Sequence, residues 1–368
     1  MKRTQLYEEH QRLGAKIVEF AGWEMPLYYS GIVREVEAVR TAVGVFDLSH
    51  MGELIVSGPE ALDLVQFATT NDARKLDIGR AQYTLLCDED GGIIDDLIVY
   101  RLETDEYMLV VNASNADADF QWIQQHNRFR AECRDSSDET GIVAIQGRAS
   151  QELLQPLVRF DLGALRKMRL RHDRVGDMDA WISRTGYTGG DGFELFCPSS
   201  ECRALWRLIL EAGESLGVQP VGLGARDVIR LEAGYPLYGH ELTSETSPVD
   251  ARLLWVVQLE KGDFLGRQAI LRALEEGPRQ LLVGLEAEDR CIPRQDQEVR
   301  ANGVRVGSVT SGTFSPTLGR GIAMAYVKPE YAEVGTRVEV DVRGRMCDCR
   351  VVPTPFYKAE RKVSATIK

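Results

Sequence analysis

Between Gly91 and Asn115 the chain reads GGIIDDLIVYRLETDEYMLVVNASN, and no other stretch narrows the possible folds as much. Two glycines permit a tight turn with positive φ. The β-branched run Ile93 to Tyr100 then suits a strand, although it carries two adjacent acids, Asp95 and Asp96. Successive side chains of a strand face opposite ways. Asp96 therefore shares a face with Ile98 and Tyr100, and Asp95 shares the other with Leu97 and Val99, so only one carboxylate can enter a given pocket. The apolar run Tyr107 to Val111 predicts the neighbouring strand and would bring Asn112 close to Asp96. Ser114 is placed to cap a helix running through Phe120 and Trp122. Taken by itself, the stretch is most simply a hairpin with charged turn residues.

A chain of 368 residues exceeds one ordinary hydrophobic core and predicts two or three domains. The formal net charge of -12 argues against nucleic acid and anionic membrane surfaces as main partners, so an anionic ligand must meet a local basic site. No apolar run is long enough to span a membrane, and the opening MKRTQLYEEHQRLG lacks the core of a signal peptide, which predicts a cytoplasmic protein. Seven scattered cysteines without CxxC pairs are expected to be reduced thiols. Cys347 and Cys349 form a CxC, but with no histidine after His240 a metal site is not expected.

In chain order, Ile32, Val36, Val39 and Val43 recur at helical spacing and predict a helix over Gly31–Ala42. VGVFDLSHM and ELIVSG read as strands, followed by a helix from Pro59 and a polar connector into the strand AQYTLL. GIVAIQG predicts a buried strand and Ala149–Val158 a helix. In LRKMRLRHDR, alternation puts Lys167, Arg169 and Arg171 on one face, either the solvated side of a strand or a docking patch for an acidic partner. DAWISRTGYTGGDGFELFCP reads as strand, glycine-rich turn and strand; without a following Lys-Ser or Lys-Thr the turn is no phosphate loop. Ser199 or Ser200 can cap the next helix, and a helix over Gly222–Ala233 presents Arg226 and Arg230 one turn apart. A linker helix ends at Gly277-Pro278, and short strands beyond it indicate an all-β terminal domain. The expected division is therefore 1–278, 279–358 with the β domain, and a loose tail at 359–368.

The segments GWEMPLYYSGI, AVRTAVGVFDLSHMGE, TND, AQYT, the Gly91–Asn115 stretch, TGYTGGDGFEL, GARDVIRLEAGYPLYG and TSGTFSPTLGRGIAMAYV occur in the order of a known family. From about Phe20 to Tyr357 the chain resembles the aminomethyltransferases of the glycine cleavage system, the T proteins. That resemblance implies an α+β, multi-domain fold: two interleaved α/β lobes forming a folate-binding region plus a C-terminal all-β, barrel-like domain, a three-domain clover-leaf. It implies transfer of the methylene of an aminomethyl group, carried on the dihydrolipoyl arm of a lipoylated H protein, to tetrahydrofolate as co-substrate. Ammonia is released, and neither a metal nor pyridoxal phosphate is expected.

The resemblance also assigns roles. Asp96 is the catalytic carboxylate, near the folate nitrogens that accept the carbon, with Asn112 beside it. Glu194 would accept hydrogen bonds from the pterin edge, and Arg226 would meet an anionic or carbonyl group. Met51, Tyr83, Tyr187 and Tyr238 would wall the rings, although each could equally be core. Phe356 stands where some members carry tyrosine, Val36 where the family usually has histidine, Arg148 where it has proline, and Gly190 where many carry glutamate. His50 follows the family pattern but suits a structural histidine at least as well. Two other readings are a folate-dependent demethylase of the same fold and a non-enzymatic folate-binding protein of iron–sulphur assembly. The intact GGIIDD stretch speaks against the first, and EAGYPLYGHEL in place of a KGCYxGQ-type segment against the second.

Overall fold

A computed structural model of the chain describes residues 1–359. Gly91 turns the backbone with φ 83°. A Cβ on Gly92 would lie 2.0 Å from the Ser244 carbonyl oxygen, so the second glycine is required by close approach. The strand Ile93–Glu103 that follows sits in a five-stranded antiparallel sheet, ordered Arg80–Cys87, Ile93–Glu103, Glu106–Val111, Gly52–Ser57, Glu132–Asp135. Burial alternates along it: Asp95, Leu97 and Val99 are buried, Asp96 and Ile98 half-buried. The buried face packs on the helices Ala61–Ala68 and Ala116–Gln125 through Leu54, Leu64, Leu97, Leu109 and Ile123. Tyr100, on the other face, joins a core shared with Phe46, Phe196, Val228 and Ile229.

Those partners belong to a second lobe, a six-stranded sheet ordered Leu170–Val175, Met178–Ser183, Gly192–Pro198, Thr140–Gln146, Gly44–Asp47, Gln219–Pro220. Gly44–Asp47 lies antiparallel to Thr140–Gln146 and parallel to Gln219–Pro220. The first lobe is thus inserted after the first strand of the second, which makes the lobes interleaved in sequence. Phe193, Leu195, Leu205, Trp206 and Ile209 fill the second lobe's own core. The third unit is a closed six-stranded barrel of Leu281–Ala287, Arg320–Val327, Val304–Ser315, Glu298–Ala301, Arg337–Val342 and Arg345–Val352, lined by Val and Ala. Closure leaves no unpaired sheet edge. Among the described residues no helix is long and apolar enough to cross a membrane.

The helix Leu223–Glu232 joins lobe to barrel. Arg230 donates to Glu241 Oε2 at 2.6 Å and to Ser311 Oγ of the barrel at 2.7 Å, and Thr310 donates to the other Glu241 oxygen at 2.6 Å. Glu232 accepts from Arg40 at 2.6 and 2.9 Å and from Ser315 Oγ at 2.5 Å. Lys261 reaches back to the first lobe, where it donates to the carbonyls of Gln66, Thr69 and Asn71 at the end of the Ala61–Ala68 helix.

Several local expectations are corrected. The helix after the central hairpin takes Asn115, not Ser114, as its cap, and the Asn115 side chain turns away to a buried carboxylate instead of closing the helix end. Glu201, not Ser199 or Ser200, precedes the helix Cys202–Ala212. The helix expected over Ala149–Val158 runs only Ser150–Leu154 before tightening into a 3-10 turn, because Pro156 has no N–H to continue it. The basic run is not one face. Met168 sits at φ 57°, which breaks the alternation, and the strand begins only at Leu170. Lys167 donates to the Gly190 carbonyl, Arg169 pairs with Asp77 and Arg171 with Asp173. Three of the seven thiols are not scattered: Cys291, Cys347 and Cys349 come together, with the Cα atoms of Cys291 and Cys347 6.1 Å apart. Strand alternation turns Cys347 and Cys349 into the barrel, and the loop after Leu281–Ala287 brings Cys291 to them. The tail assigned to 359–368 lies, beyond Ala359, outside the described residues.

Candidate active site

Strand pairing aligns Ile98 with Val110, which sets Asn112 of the neighbouring strand's end beside the two aspartates. Asn112 Nδ2 lies 3.1 Å from Asp96 Oδ1 and donates to Asp95 Oδ1 at 2.8 Å. Tyr83, across from Ile98 on the other neighbouring strand, donates to Asp96 Oδ2 at 2.9 Å. Burial, together with the negative charge of Asp95, pushes the Asp96 carboxyl up to about 7. Such a group can hold or release a proton near neutrality.

Asp95, on the opposite face, is fully buried and accepts from the Asn112 amide at 2.9 Å and from Asn115 Nδ2 at 2.8 Å, in addition to Asn112 Nδ2. The neighbouring carboxylates therefore have separate surroundings: Asp95 is held within the lobe by amides, while Asp96 is half-buried on the face toward the second lobe.

Glu194, on the strand Gly192–Pro198, accepts from Thr185 Oγ1, and from Tyr100 at 3.4 Å. Burial raises its pKa, with Thr185 and Arg226 working against the rise. Arg226, from the helix Leu223–Glu232, lies over the Tyr187 ring at 4.8 Å and forms no ion pair among the described residues. Burial lowers its pKa, and Glu194 acts in the opposite sense. Asp227, next to it in the chain, pairs with Arg230. Tyr187 senses both Asp96 and Arg226, and Tyr83 senses Tyr187, so these groups from both lobes share one electrostatic locale. Aromatic faces line it. Tyr83 stacks on the largely exposed Trp255 at 5.8 Å, and Tyr187 on Tyr235 at 5.6 Å.

Residues 6–261 match the family model described as the GCVT N-terminal domain, and residues 280–358 match that of the glycine cleavage T-protein C-terminal barrel domain. The chain belongs to the glycine cleavage T-protein family. An aminomethyltransferase of Symbiobacterium thermophilum is 48% identical, covering 98% of this chain and 99% of its own. One of Geobacillus kaustophilus is 49% identical over 97% of this chain and 99% of its own. The crystal structure of the glycine cleavage system aminomethyltransferase T from Bartonella henselae superposes with a TM-score of 0.92 at 38% identity, covering 97% of this chain and 98% of that one. The activity that goes with membership is aminomethyl transfer in the glycine cleavage system, and the chain is a transferase.

Within this T-protein fold the expected site residues occupy unequal places. Asp96 touches Tyr83 and Asn112, Arg226 lies over Tyr187, and Glu194 is held by Thr185 and Tyr100; the three groups act on one another through their charges. Tyr238 packs with Tyr83 around Leu85 and Leu242, and Met51 lies half-buried against the core shared by the lobes. The Tyr187 hydroxyl is already committed to the Pro236 carbonyl, so this residue offers its ring. Phe356 packs against Leu231, Leu282 and Tyr326 at the foot of the barrel. His50 is buried edge-on to Phe20, and burial depresses it to about 4, which keeps it neutral. Tyr100, Thr185 and Trp255 were not foreseen. Their contacts bridge up to 172 positions of sequence, between Tyr83 and Trp255, and no local pattern reports such pairs.

Proposed function

We propose that this site binds tetrahydrofolate and transfers to it the methylene of an aminomethyl group delivered on the lipoyl arm of an H protein. Glu194, steadied by Thr185 and Tyr100, accepts from the pterin edge. Tyr83, Tyr187, Tyr238, Met51 and Trp255 supply ring faces and a soft wall. Arg226, free of protein carboxylates, meets a carbonyl or anionic group of the substrate. The carbon leaves sulfur and nitrogen and ends bridging two folate nitrogens. Two N–H protons depart from those nitrogens, one ending on ammonia and one on the dihydrolipoyl thiol, so the transfer is redox-neutral. Asp96 manages that proton traffic and orients the attacking amine.

The observation that carries the reading is the Asp96 carboxyl, poised near neutrality between Tyr83 and Asn112. Single-turnover ammonia release from aminomethyl-loaded H protein with tetrahydrofolate tests it. Asp96→Asn is expected to lose on the order of 100-fold or more in rate while keeping folate binding. Asp95→Asn should act mainly on stability. A folded Asp95→Asn protein more impaired than Asp96→Asn would overturn the assignment.

A further inference from the structure

Beneath the aspartate pair lies a third carboxyl that the proposed chemistry does not use. Asp119, in the first turn and a half of the helix Ala116–Gln125, is completely buried, and neither of its oxygens receives an N–H or O–H from any described residue. Its neighbour across the helix–strand contact is Asp95, within hydrogen-bonding reach. Two ionised carboxylates cannot share a dry contact, so one of them holds a proton. The donor pattern decides which. Asp95 accepts three N–H groups, from the Asn112 amide, Asn112 Nδ2 and Asn115 Nδ2, whereas Asp119 accepts none. Charge rests where the donors are.

We infer that Asp119 is a protonated carboxylic acid that donates to Asp95 and serves as a positioning residue for Asp96. The chain of contacts runs Asp119, Asp95, Asn112, Asp96. Asn112 Nδ2 sits between Asp95 Oδ1 at 2.8 Å and Asp96 Oδ1 at 3.1 Å, so the acid that fixes Asp95 also fixes the amide beside Asp96. Burial and the carboxylates Asp95 and Asp96 push Asp119 up to about 11. Tyr238 faces the same group from the loop beyond the helix Leu223–Glu232, and its hydroxyl is itself raised by burial, Asp95, Asp119 and Asp88. With Asp119 neutral, one negative charge stands next to Asp96. With Asp119 ionised, there would be two.

The kinetic arm of the test rests on Asp96 as the reacting carboxylate; the spectroscopic arm does not. Infrared spectra of the full chain with isotope-labelled aspartate should contain the carbonyl stretch of a buried protonated acid that persists to mildly alkaline pH and disappears in Asp119→Asn. In single-turnover assays, Asp119→Leu should lose about tenfold or more, the loss of one hydrogen bond to a charge. Its acid limb should also move to lower pH, because an under-solvated Asp95 gives up its charge and no longer repels that of Asp96. Asp119→Asn, which restores an N–H at the same place without adding charge, should recover most of the rate and the original limb. The inference is overturned if no such band is lost, or if Asp119→Asn alone moves the limb downward, since that means a charge has been removed. It is equally overturned if Asp119→Leu matches the parent in rate and pH profile. Should Asp119→Leu fail to fold, the infrared band and the Asp119→Asn profile decide. If instead Asp96→Asn turns over normally, the proposed chemistry fails while the band still reports on Asp119.

Discussion

A carboxyl that stays protonated to about pH 7 inside the fold, but titrates near 3.8 when exposed, leaves two signatures on one residue. The folded chain holds a proton on Asp96 that the unfolded chain has lost, so the contribution of this group to stability is complete below the unfolded pKa and is lost as pH rises toward 7. Asp96→Asn should therefore raise the melting temperature at alkaline pH, with the gain fading in acid; calorimetry across pH checks this. Turnover runs the other way. Asp96 must be ionised to accept a proton, so the rate should fall on the acid side with a midpoint near 7, and Asp96→Asn should abolish that limb. A limb that survives in the variant belongs to another group. Strand alternation made the unequal environments of Asp95 and Asp96 legible in the sequence, because a period of two is a local property. The donors were less legible. Ser114 looked like the helix cap, but Asn115 takes that position and its side chain serves Asp95, 20 positions away, and Thr185 and Tyr100 converge on Glu194 from different lobes.

At the scale of elements, the helix Leu223–Glu232 divides its charges between two tasks. Arg230 is locked into Glu241 and Ser311, whereas Arg226 one turn earlier lies over Tyr187 without a protein carboxylate. Replacing each by methionine should separate the tasks. Arg230→Met leaves Glu241 buried and unpaired and should cost about 3–5 kcal/mol in urea unfolding. Arg226→Met should leave stability within about 1 kcal/mol, or raise it, because a desolvated cation without an ion-pair partner is removed. Equal losses would mean that Arg226 is a structural residue after all. The two arginines were visible in sequence as a one-turn pair, and so was the helix, expected over Gly222–Ala233 and found over Leu223–Glu232. Which arginine faced a carboxylate depended on Glu241, in a loop whose path has no local signature. The same limit explains the basic run, where a single left-handed residue, Met168, defeated an alternation that looked regular on paper.

For the molecule as a whole, the all-β terminal domain followed from patterns that repeat locally, whereas the division of the rest into two interleaved lobes came only with the family resemblance, and the joints between units followed from neither. Arg40 with Glu232, Lys261 with the end of the Ala61–Ala68 helix, and Cys291 with Cys347 all connect segments far apart in the chain. The placement of Gly44–Asp47 has a bearing on how the protein is made. This strand leaves the ribosome early, yet its two sheet neighbours, Thr140–Gln146 and Gln219–Pro220, are still unsynthesised. At elongation rates of about 5–20 residues per second the first neighbour arrives roughly 5–20 s later. Meanwhile the inserted lobe, whose strands all lie between Gly52 and Asp135, can assemble its sheet. Pulse proteolysis of stalled nascent chains should find that lobe resistant while the segment before it is still cut. The early strand must wait as an unsatisfied edge, exposed to any other chain emerging nearby, so crowded polysomes and slow codons between the two lobes are where this protein is most open to mispairing with its own copies.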